Sequence, residues 1–244
     1  MQPLLPEAVL LNKNMKLSII IPVYNEISTI DKVIGRIASV RLQEGMDKEI
    51  VIVNDGSTDG TTETIEKHRP VPGIKIVNRN SNRGKTSAII AGIKIATGDI
   101  FIIQDADLEY DPCHYPALIE PIIRKESPVV YGSRFKEKTA RMPLINRMAN
   151  AVSNITFNLL YGARISDIHT CYKVFSRDVV SGLDLTLKHF MFDMEITAIL
   201  SKRGYKIYEV PITYTARTKK EGKKITWRQA MELYWCIIKS RFSP

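Results

Sequence analysis

The stretch Gly98–Pro112, GDIFIIQDADLEYDP, decides how this chain is read. Ile100–Gln104 is a short, mostly apolar run that follows Gly98-Asp99 and ends abruptly in acid. Such a run, bounded by turn residues, reads as a strand buried on both faces of a sheet. Asp105 and Asp107 follow at once. Carboxylates two residues apart, just where the chain leaves a sheet, can address one cation, and Glu109 stands where it could add a further oxygen. Mg²⁺ or Mn²⁺ favours a few carboxylates together with the oxygens of a substrate diphosphate. A lone D-x-D occurs often by chance, so its surroundings decide its meaning.

The same pattern recurs on the N-terminal side. Lys16–Val23 (KLSIIIPV) reads as a buried strand and ends in Tyr24-Asn25-Glu26; Glu49–Val53 (EIVIV) ends in Asn54-Asp55-Gly56-Ser57-Thr58-Asp59-Gly60. Ile74–Val77 and Val129–Gly132 are further strands. Helical patterns lie between them. Ser28 is expected to cap the first, with Asp31 in the capping-box position and Val33, Ile34 and Ile37 on one face. A second runs through Thr62–His68. A third, Lys85–Ala96, is expected to end at Gly98 as a C′ glycine. Strands alternating with helices predict a single α/β domain with a mostly parallel central sheet, flanked by helices and joined by right-handed crossovers. Ligands of such sheets sit beyond the C-terminal strand ends. Three acidic turns then share one edge, where their mutual repulsion must be offset by a cation or by donor groups. The plainer reading is that Asp, Gly and Ser are turn formers and helix caps; for DGSTDG alone the two readings compete evenly.

After Gly132 the pattern loosens. Ser133–Pro143 is polar and basic, Leu144–Leu160 reads as a helix, Cys171–Phe175 as a strand, Asp193–Lys202 as a helix and Tyr205–Tyr214 as extended chain. This half is expected to complete the same domain around an acceptor. The domain is set at residues 16–224, between an N-terminal extension, 1–15, and a C-terminal amphipathic helix, 225–244. In that helix Trp227, Met231, Tyr234, Ile238 and Phe242 recur near helical spacing, a stripe that either covers the core or lies in a lipid interface.

Composition narrows the classes. The 244 residues are 44% hydrophobic and 25% charged, which excludes a disordered or fibrous chain. Lys and Arg number 35 against 26 Asp and Glu, for a net charge of +9, and so large an excess points to an anionic partner. No apolar run is long enough to span a bilayer, and the first residues make a poor secretory signal. The three cysteines, Cys113, Cys171 and Cys236, are far apart and suit a reducing compartment. The expected location is cytoplasmic, against the cytosolic face of a membrane.

SIIIPVYNE, VNDGSTDGT, NRGKTSAIIAG, GDIFIIQDADLEYDP and YGSRF, in this order and spacing, resemble the family 2 glycosyltransferases of the GT-A fold. The later DIHTCYKVFSR, FDMEI, RGYKIYEVPITY and EGKKI are similar to the dolichyl- and polyprenyl-phosphate hexose synthases, the branch that includes dolichol-phosphate mannose synthase. The likeness runs from about Leu17 to Ile225. It implies a metal-dependent, inverting transfer of a hexose from a GDP- or UDP-linked donor to a polyprenyl or dolichyl phosphate, with Mg²⁺ or Mn²⁺ as cofactor. By this resemblance Pro22, Tyr24, Glu26 and Asp55 hold base and ribose, and Lys85 and Ala106 belong to the donor site. Asp105 faces the nucleotide sugar, Asp107 binds the metal, and Glu109 replaces the Gln that often serves there as a further ligand, adding negative charge. Arg134 lies near the diphosphate and acceptor phosphate. Arg147 falls on the helix that in relatives lies along the membrane and contacts the acceptor phosphate. Arg217, Lys223 and Lys224 belong to a basic segment that closes over the phosphates. Many relatives carry transmembrane helices after this point; this sequence reaches Pro244 without one, and membrane contact is expected to be peripheral or through a partner subunit.

The chemistry asks for these groups. A phosphate monoester carries roughly −1.5 to −2 charge at neutral pH and needs no strong base to attack. Developing charge on the leaving diphosphate needs cations. A hydroxyl acceptor would instead need a carboxylate base, for which Asp193 or Glu195 stands ready; the competing reading of Asp193 is a helix cap. A second alternative is a non-catalytic nucleotide- or nucleic-acid-binding module. It predicts aromatics interleaved with basic residues, and the first half carries no such array. No nucleic-acid partner is expected.

Overall fold

Strand β1 (Lys16–Val23) is almost wholly apolar because it is covered on both faces, and it forms the centre of the molecule. It pairs in parallel with β2 (Asp47–Asn54) on one side and β4 (Ile100–Ile103) on the other, with Ile20 opposite both Val51 and Ile103. β3 (Ile74–Asn78) extends the β2 side in parallel. Beyond β4 lie β6 (Lys173–Ser176), β5 (Val129–Ser133) and β7 (Tyr208–Pro211), giving a seven-stranded sheet in the order β3-β2-β1-β4-β6-β5-β7. β6 alone runs antiparallel to its neighbours. The computed structural model describes residues 15–136, 142–183, 192–216 and 227–242, the side chains of the last segment from 234 onward.

Helices α1 (Ile30–Ser39), α2 (Thr61–Glu66) and α3 (Lys85–Ile95) are the crossovers of the parallel half. α1 buries Ile30, Val33, Ile34 and Ile37, as its periodicity predicts. Its start differs from expectation: Thr29, not Ser28, is the cap residue and makes no side-chain cap bond, because the Thr29 hydroxyl is spent on Glu26. Asp31 pairs instead with His68 at 2.7 Å. Gly98 likewise does not end α3 in a left-handed turn; Ala96 does so in extended conformation. Gly98 is required for space, since a Cβ there would lie 2.5 Å from Ser18 Oγ and 2.6 Å from the Lys16 carbonyl oxygen.

α4 (Tyr115–Ile123) covers β5 and β6, and the short α6 (Arg177–Ser181) follows β6. α5 (Leu144–Tyr161) and α7 (Phe192–Lys202) both pack against α8 (Trp227–Phe242). Tyr161 donates to the Ile237 carbonyl at 3.0 Å, Arg241 Nε to that of Leu160 at 2.9 Å, and Lys202 to that of Ser240 at 3.1 Å. Among the described side chains of α8, Ile237 enters the core with Cys236 packed against it; of the expected stripe, Ile238 is partly buried, while Tyr234 and Phe242 are exposed, as is Trp235. Trp227 and Met231 lie outside the described side chains. Among the described residues no helix is long and apolar enough to cross a membrane.

Candidate active site

β1, β2 and β4 are parallel, so Tyr24–Glu26, Asn54–Gly60 and Gln104–Asp111 do emerge together at one sheet edge, at the switch point where the order reverses beside β1. Hydrogen bonds stitch the first two turns together. Asn25 N–H donates to Ser57 Oγ at 3.0 Å, Thr58 N–H to Asn25 Oδ1 at 2.8 Å, Glu26 N–H to Thr61 Oγ1 at 3.0 Å and Ile27 N–H to Asp59 Oδ2 at 3.3 Å. Burial alone would raise the Asp59 carboxyl, but bonds from Thr61 and Ile27 hold it below its ordinary value. For Asp59 the plain reading, a turn former, is the one observed. Asn25 (φ 55°) and Leu108 (φ 64°) hold left-handed backbone in these turns, a conformation costly for residues with a side chain and concentrated at functional sites.

Of the residues expected at base and ribose, Pro22 lies in β1 and Tyr24 is half exposed beside it. Glu26 accepts from Thr29 Oγ1 at 2.8 Å. Asp55 is buried. Its carboxylate accepts from Arg79 Nη1 at 2.9 Å, from Gly84 N–H at 2.8 Å and from Arg83 N–H at 3.0 Å. It therefore anchors the 79–84 loop over the sheet edge. That loop presses so close that a Cβ on Gly56 would meet the Ser81 backbone carbon at 2.7 Å.

The acidic turn after β4 is supported from beneath. Gln104 is fully buried; its Oε1 accepts from Tyr115 and Tyr172 hydroxyls at 2.6 and 2.8 Å, and its Nε2 donates to the Asp105 carbonyl at 2.9 Å. Ala106 is buried, while Asp105 and Asp107 on either side of it are partly exposed. Asp105 Oδ1 pairs with Lys85 Nζ at 2.6 Å. Burial pulls the Lys85 ammonium down, yet Asp105, Cys171 and Asp193 outweigh it and hold it well above its ordinary value. Asp107 Oδ1 accepts from Glu109 N–H at 3.0 Å, and Glu109 Oε2 accepts from Tyr214 at 2.6 Å. Among the described residues no three His, Cys, Asp or Glu side chains converge to hold a metal by themselves. Two adjacent, partly exposed carboxylates, Asp107 and Glu109, suit a hard cation that takes its remaining oxygens from a diphosphate. Such an ion, when bound, supplies electrostatic stabilisation to a departing diphosphate.

The C-terminal half contributes cations and one carboxylate. Arg134 is buried in a two-pronged pair with Asp167, Nε to Oδ2 at 2.7 Å and Nη2 to Oδ1 at 2.8 Å, and its guanidinium lies 4.9 Å from the Tyr214 ring centre. Burial opposes this charge, and the paired Asp167 carboxylate helps hold it well above its ordinary value. Asp167 is held in turn by Glu209, which accepts from Ser166 N–H at 2.8 Å and Asp167 N–H at 3.1 Å. Burial and Arg134 push the His169 imidazole down to about 4 against the pull of Asp167. Asp193 lies inside α7, not at its cap. Its carboxylate is partly exposed, 3.6 Å from the buried Lys173, and acts electrostatically on Lys85 and Cys171 beside Asp105. Glu195, about 200° further round the helix, is buried and acts on Cys236 of α8. The two acids offered as bases thus part company: Asp193 acts on Lys85, the partner of Asp105, and Glu195 turns to the helix packing. Arg147 is exposed on α5. Arg217, Lys223 and Lys224 lie outside the described residues. Asp167, His169, Lys173, Glu209 and Tyr214 were not singled out from sequence. The available signal was a charge inside an apolar run, as in CYKVF and YEVPI.

α5 is inverted relative to an ordinary surface helix. Leu144, Ile145, Met148, Val152, Ile155 and Leu159 are 55–80% exposed and fall within an arc of about 100°. The inward side carries Asn154 and Phe157.

The sheet thus carries an acidic rim at its switch point, backed by buried cations. Comparison with known proteins gives the family: residues 18–183 match the model of glycosyl transferase family 2, and the chain belongs to that family. Over 215 residues it is 34% identical to a dolichol-phosphate mannosyltransferase of Pyrococcus furiosus, covering 86% of this chain and 59% of that protein, so it spans less than two thirds of that relative's length. It is 27% identical to an undecaprenyl-phosphate mannosyltransferase of Micrococcus luteus, covering 86% of this chain and 87% of the relative. In structure it is similar to glucosyl-3-phosphoglycerate synthase of Mycobacterium tuberculosis crystallised with Mn²⁺, UDP and phosphoglyceric acid, with a TM-score of 0.71 at 18% identity over 94% of this chain and 80% of the other. The GT-A fold expectation holds, and family membership sets aside the non-catalytic module.

Proposed function

We propose that the protein moves a hexose from a nucleoside-diphosphate sugar to the phosphate of a polyprenyl- or dolichyl-type lipid while seated on a membrane surface. The observation that carries this reading is the pairing of two features in one chain: the Asp105–Lys85 and Asp107–Glu109 rim, and the outward apolar arc of α5. An exposed apolar face of this size on a basic protein suits a lipid interface, with Arg147 on the same helix available to anionic headgroups. The relatives of Pyrococcus and Micrococcus are named for transfer to lipid phosphates, and the reading extends that acceptor class to this chain. The donor is of the GDP-mannose or UDP-glucose kind, and Asp107 and Glu109 hold Mg²⁺ or Mn²⁺.

In this reading the acceptor phosphate is its own nucleophile and requires no base. Two anionic substrates must be brought together, so fixed cations stand between them: Lys85 at the rim, Arg134 held in direction by Asp167, Arg147 on the lipid side, and Arg217, Lys223 and Lys224 from the basic segment. Direct displacement at the anomeric carbon inverts its configuration. A hydroxyl acceptor is the second reading, favoured by the partly exposed Asp193. The test is incubation with Mg²⁺ or Mn²⁺ and a panel of nucleotide sugars, with and without polyprenyl phosphate. Label entering the organic phase only when lipid phosphate is present is the expected result. Transfer confined to oligosaccharides, or none with any donor, overturns the proposal.

A further inference from the structure

Lys173 is fully buried near the site, as Asp167 is, and the proposed reaction does not use it. Its Nζ donates to the carbonyls of Ile168 at 3.0 Å and Thr170 at 2.7 Å, and lies 4.2 Å from the centre of the Tyr131 ring. Burying an ammonium is costly unless its charge is answered. Two carbonyls and a ring face answer part of it. Burial pulls the Lys173 ammonium below its ordinary value, and two carboxylates restore part of it: Asp193 first, with Oδ1 at 3.6 Å, too far for a hydrogen bond and close enough for attraction, then Asp167. The same cluster grips the Asp193 backbone: Tyr131 shares a hydrogen bond of 2.9 Å with Thr197, whose hydroxyl donates to the Asp193 carbonyl at 2.5 Å. Lys173 thus stands behind a carboxylate that is itself 27% exposed. On its open side Asp193 acts on Lys85 and Cys171, both of which touch or act on Asp105. Two lysines therefore answer two aspartates: Lys85 at the rim, Lys173 beneath.

We infer that Lys173 is a positioning residue that holds Asp193 aimed into the donor cleft, where the carboxylate accepts hydrogen bonds from hydroxyls of the donor hexose. The inference rests on the proposed reading, in which the nucleophile is already an anion and Asp193 has no proton to remove. A hexose presents hydroxyl donors, and a fixed, partly exposed carboxylate that acts on Lys85 of the rim is a partner that orients it. The nucleoside diphosphate alone makes no use of Asp193.

The experiment compares binding of GDP-mannose with GDP, and of UDP-glucose with UDP, by calorimetry with Mn²⁺ on the full chain. The variants are Asp193→Asn, Lys173→Met and the double variant. A hydrogen bond to a charged group is worth about tenfold in affinity. Each single variant is expected to weaken the sugar nucleotide about tenfold and the bare diphosphate by less than about twofold, and the double variant to lose no more than the worse single one. Additive losses, an unchanged sugar nucleotide, or equal weakening of both ligands overturns the inference. Where Lys173→Met does not bind the diphosphate, Lys173→Gln, which keeps a donor for the two carbonyls, replaces it; the same loss in both makes Lys173 merely structural and also overturns it. Lipid-dependent transfer by the unaltered protein is assayed alongside. Its absence counts against the proposed function, whereas normal transfer with an additive cycle counts against the role of Lys173 alone.

Discussion

At the C-terminal ends of β1, β2 and β4 the polar groups of three turns are answered within the fold, by Ser57, Thr61, Arg79, Lys85 and backbone amides. On the outer face of α5, in the other half of the molecule, six apolar side chains are turned to solvent. The first region resembles a finished core in which polar atoms do the packing; the second resembles a core cut in half. A rigid, internally satisfied rim suits a small, highly charged ligand that must be held in one pose. An apolar face suits a partner that is large, fluid and apolar. In the proposed reaction the rim would take the nucleotide sugar and the face of α5 the lipid.

The hardest blow to this division comes from the rim. Asp107→Ala is expected to lower transfer about a thousandfold, while the melting temperature stays near that of the unaltered protein, because Asp107 is partly exposed and bonds chiefly within its own turn. Chelation should mimic the variant, and Mn²⁺ should restore only the unaltered protein. Turnover that survives in a rigorously metal-free variant would leave the acidic rim a structural device.

The next test strikes the other region. Replacing Ile145, Met148 and Ile155 together by Ser removes three apolar side chains from the outward arc of α5. If each contributes about 1 kcal/mol on entering a lipid interface, binding to anionic vesicles falls about a hundredfold. Thermal stability and binding of nucleotide sugar should not change, since none of the three enters the core. Flotation with vesicles at equal protein concentration reads the difference, and unaltered flotation would assign this face to something other than lipid.

The same two regions explain what the sequence could and could not disclose. β1, β2 and β4 were legible because a strand buried on both faces has nothing but apolar residues to show, and their ends were legible because acid follows directly. The antiparallel run of β6 was not: four residues, KVFS, carry no signal of direction. α4 has no counterpart in the sequence reading, and its Pro116 and Pro121 are unusual in a helix. One sits in the first turn, where its missing N–H is no loss, and the other lies near the end of the helix. In the site, Asp105, Asp107 and Lys85 stood out through their place in motifs. Lys173, Asp167 and Glu209 did not, because a charge that is buried and answered by a distant segment depends on contacts that spacing does not encode. Glu209 meets Ser166, and Lys173 meets Asp193, only once β5, β6 and β7 are side by side.

A smaller effect separates the working edge of the sheet from its opposite edge. Glu49 is buried near the N-terminal ends of β1 and β4, where it accepts from Ser18 Oγ at 2.6 Å and Gly98 N–H at 3.1 Å, from the Thr97 amide, and pairs with Lys75 at 2.8 Å. Burial alone would raise its carboxyl, but Lys75, Ser18 and Thr97 prevail and hold it at about 2, against an ordinary 4.5. A carboxyl depressed by folding contributes stability that is complete above its ordinary value and disappears as pH falls through the folded one. Glu49→Gln should therefore cost about 2 kcal/mol in chemical denaturation at pH 7. The gap to the unaltered protein should close between about pH 4.5 and about pH 2. Nucleotide-sugar binding at pH 7 should be unchanged, because this carboxylate staples β1, β2 and the turn before β4 at the end of the sheet away from the ligand. A gap that stays constant across that pH range would mean that Glu49 acts by shape and not by charge. A loss of binding would mean that the two ends of the sheet are coupled, and that the rim is less rigid than its own hydrogen bonds imply.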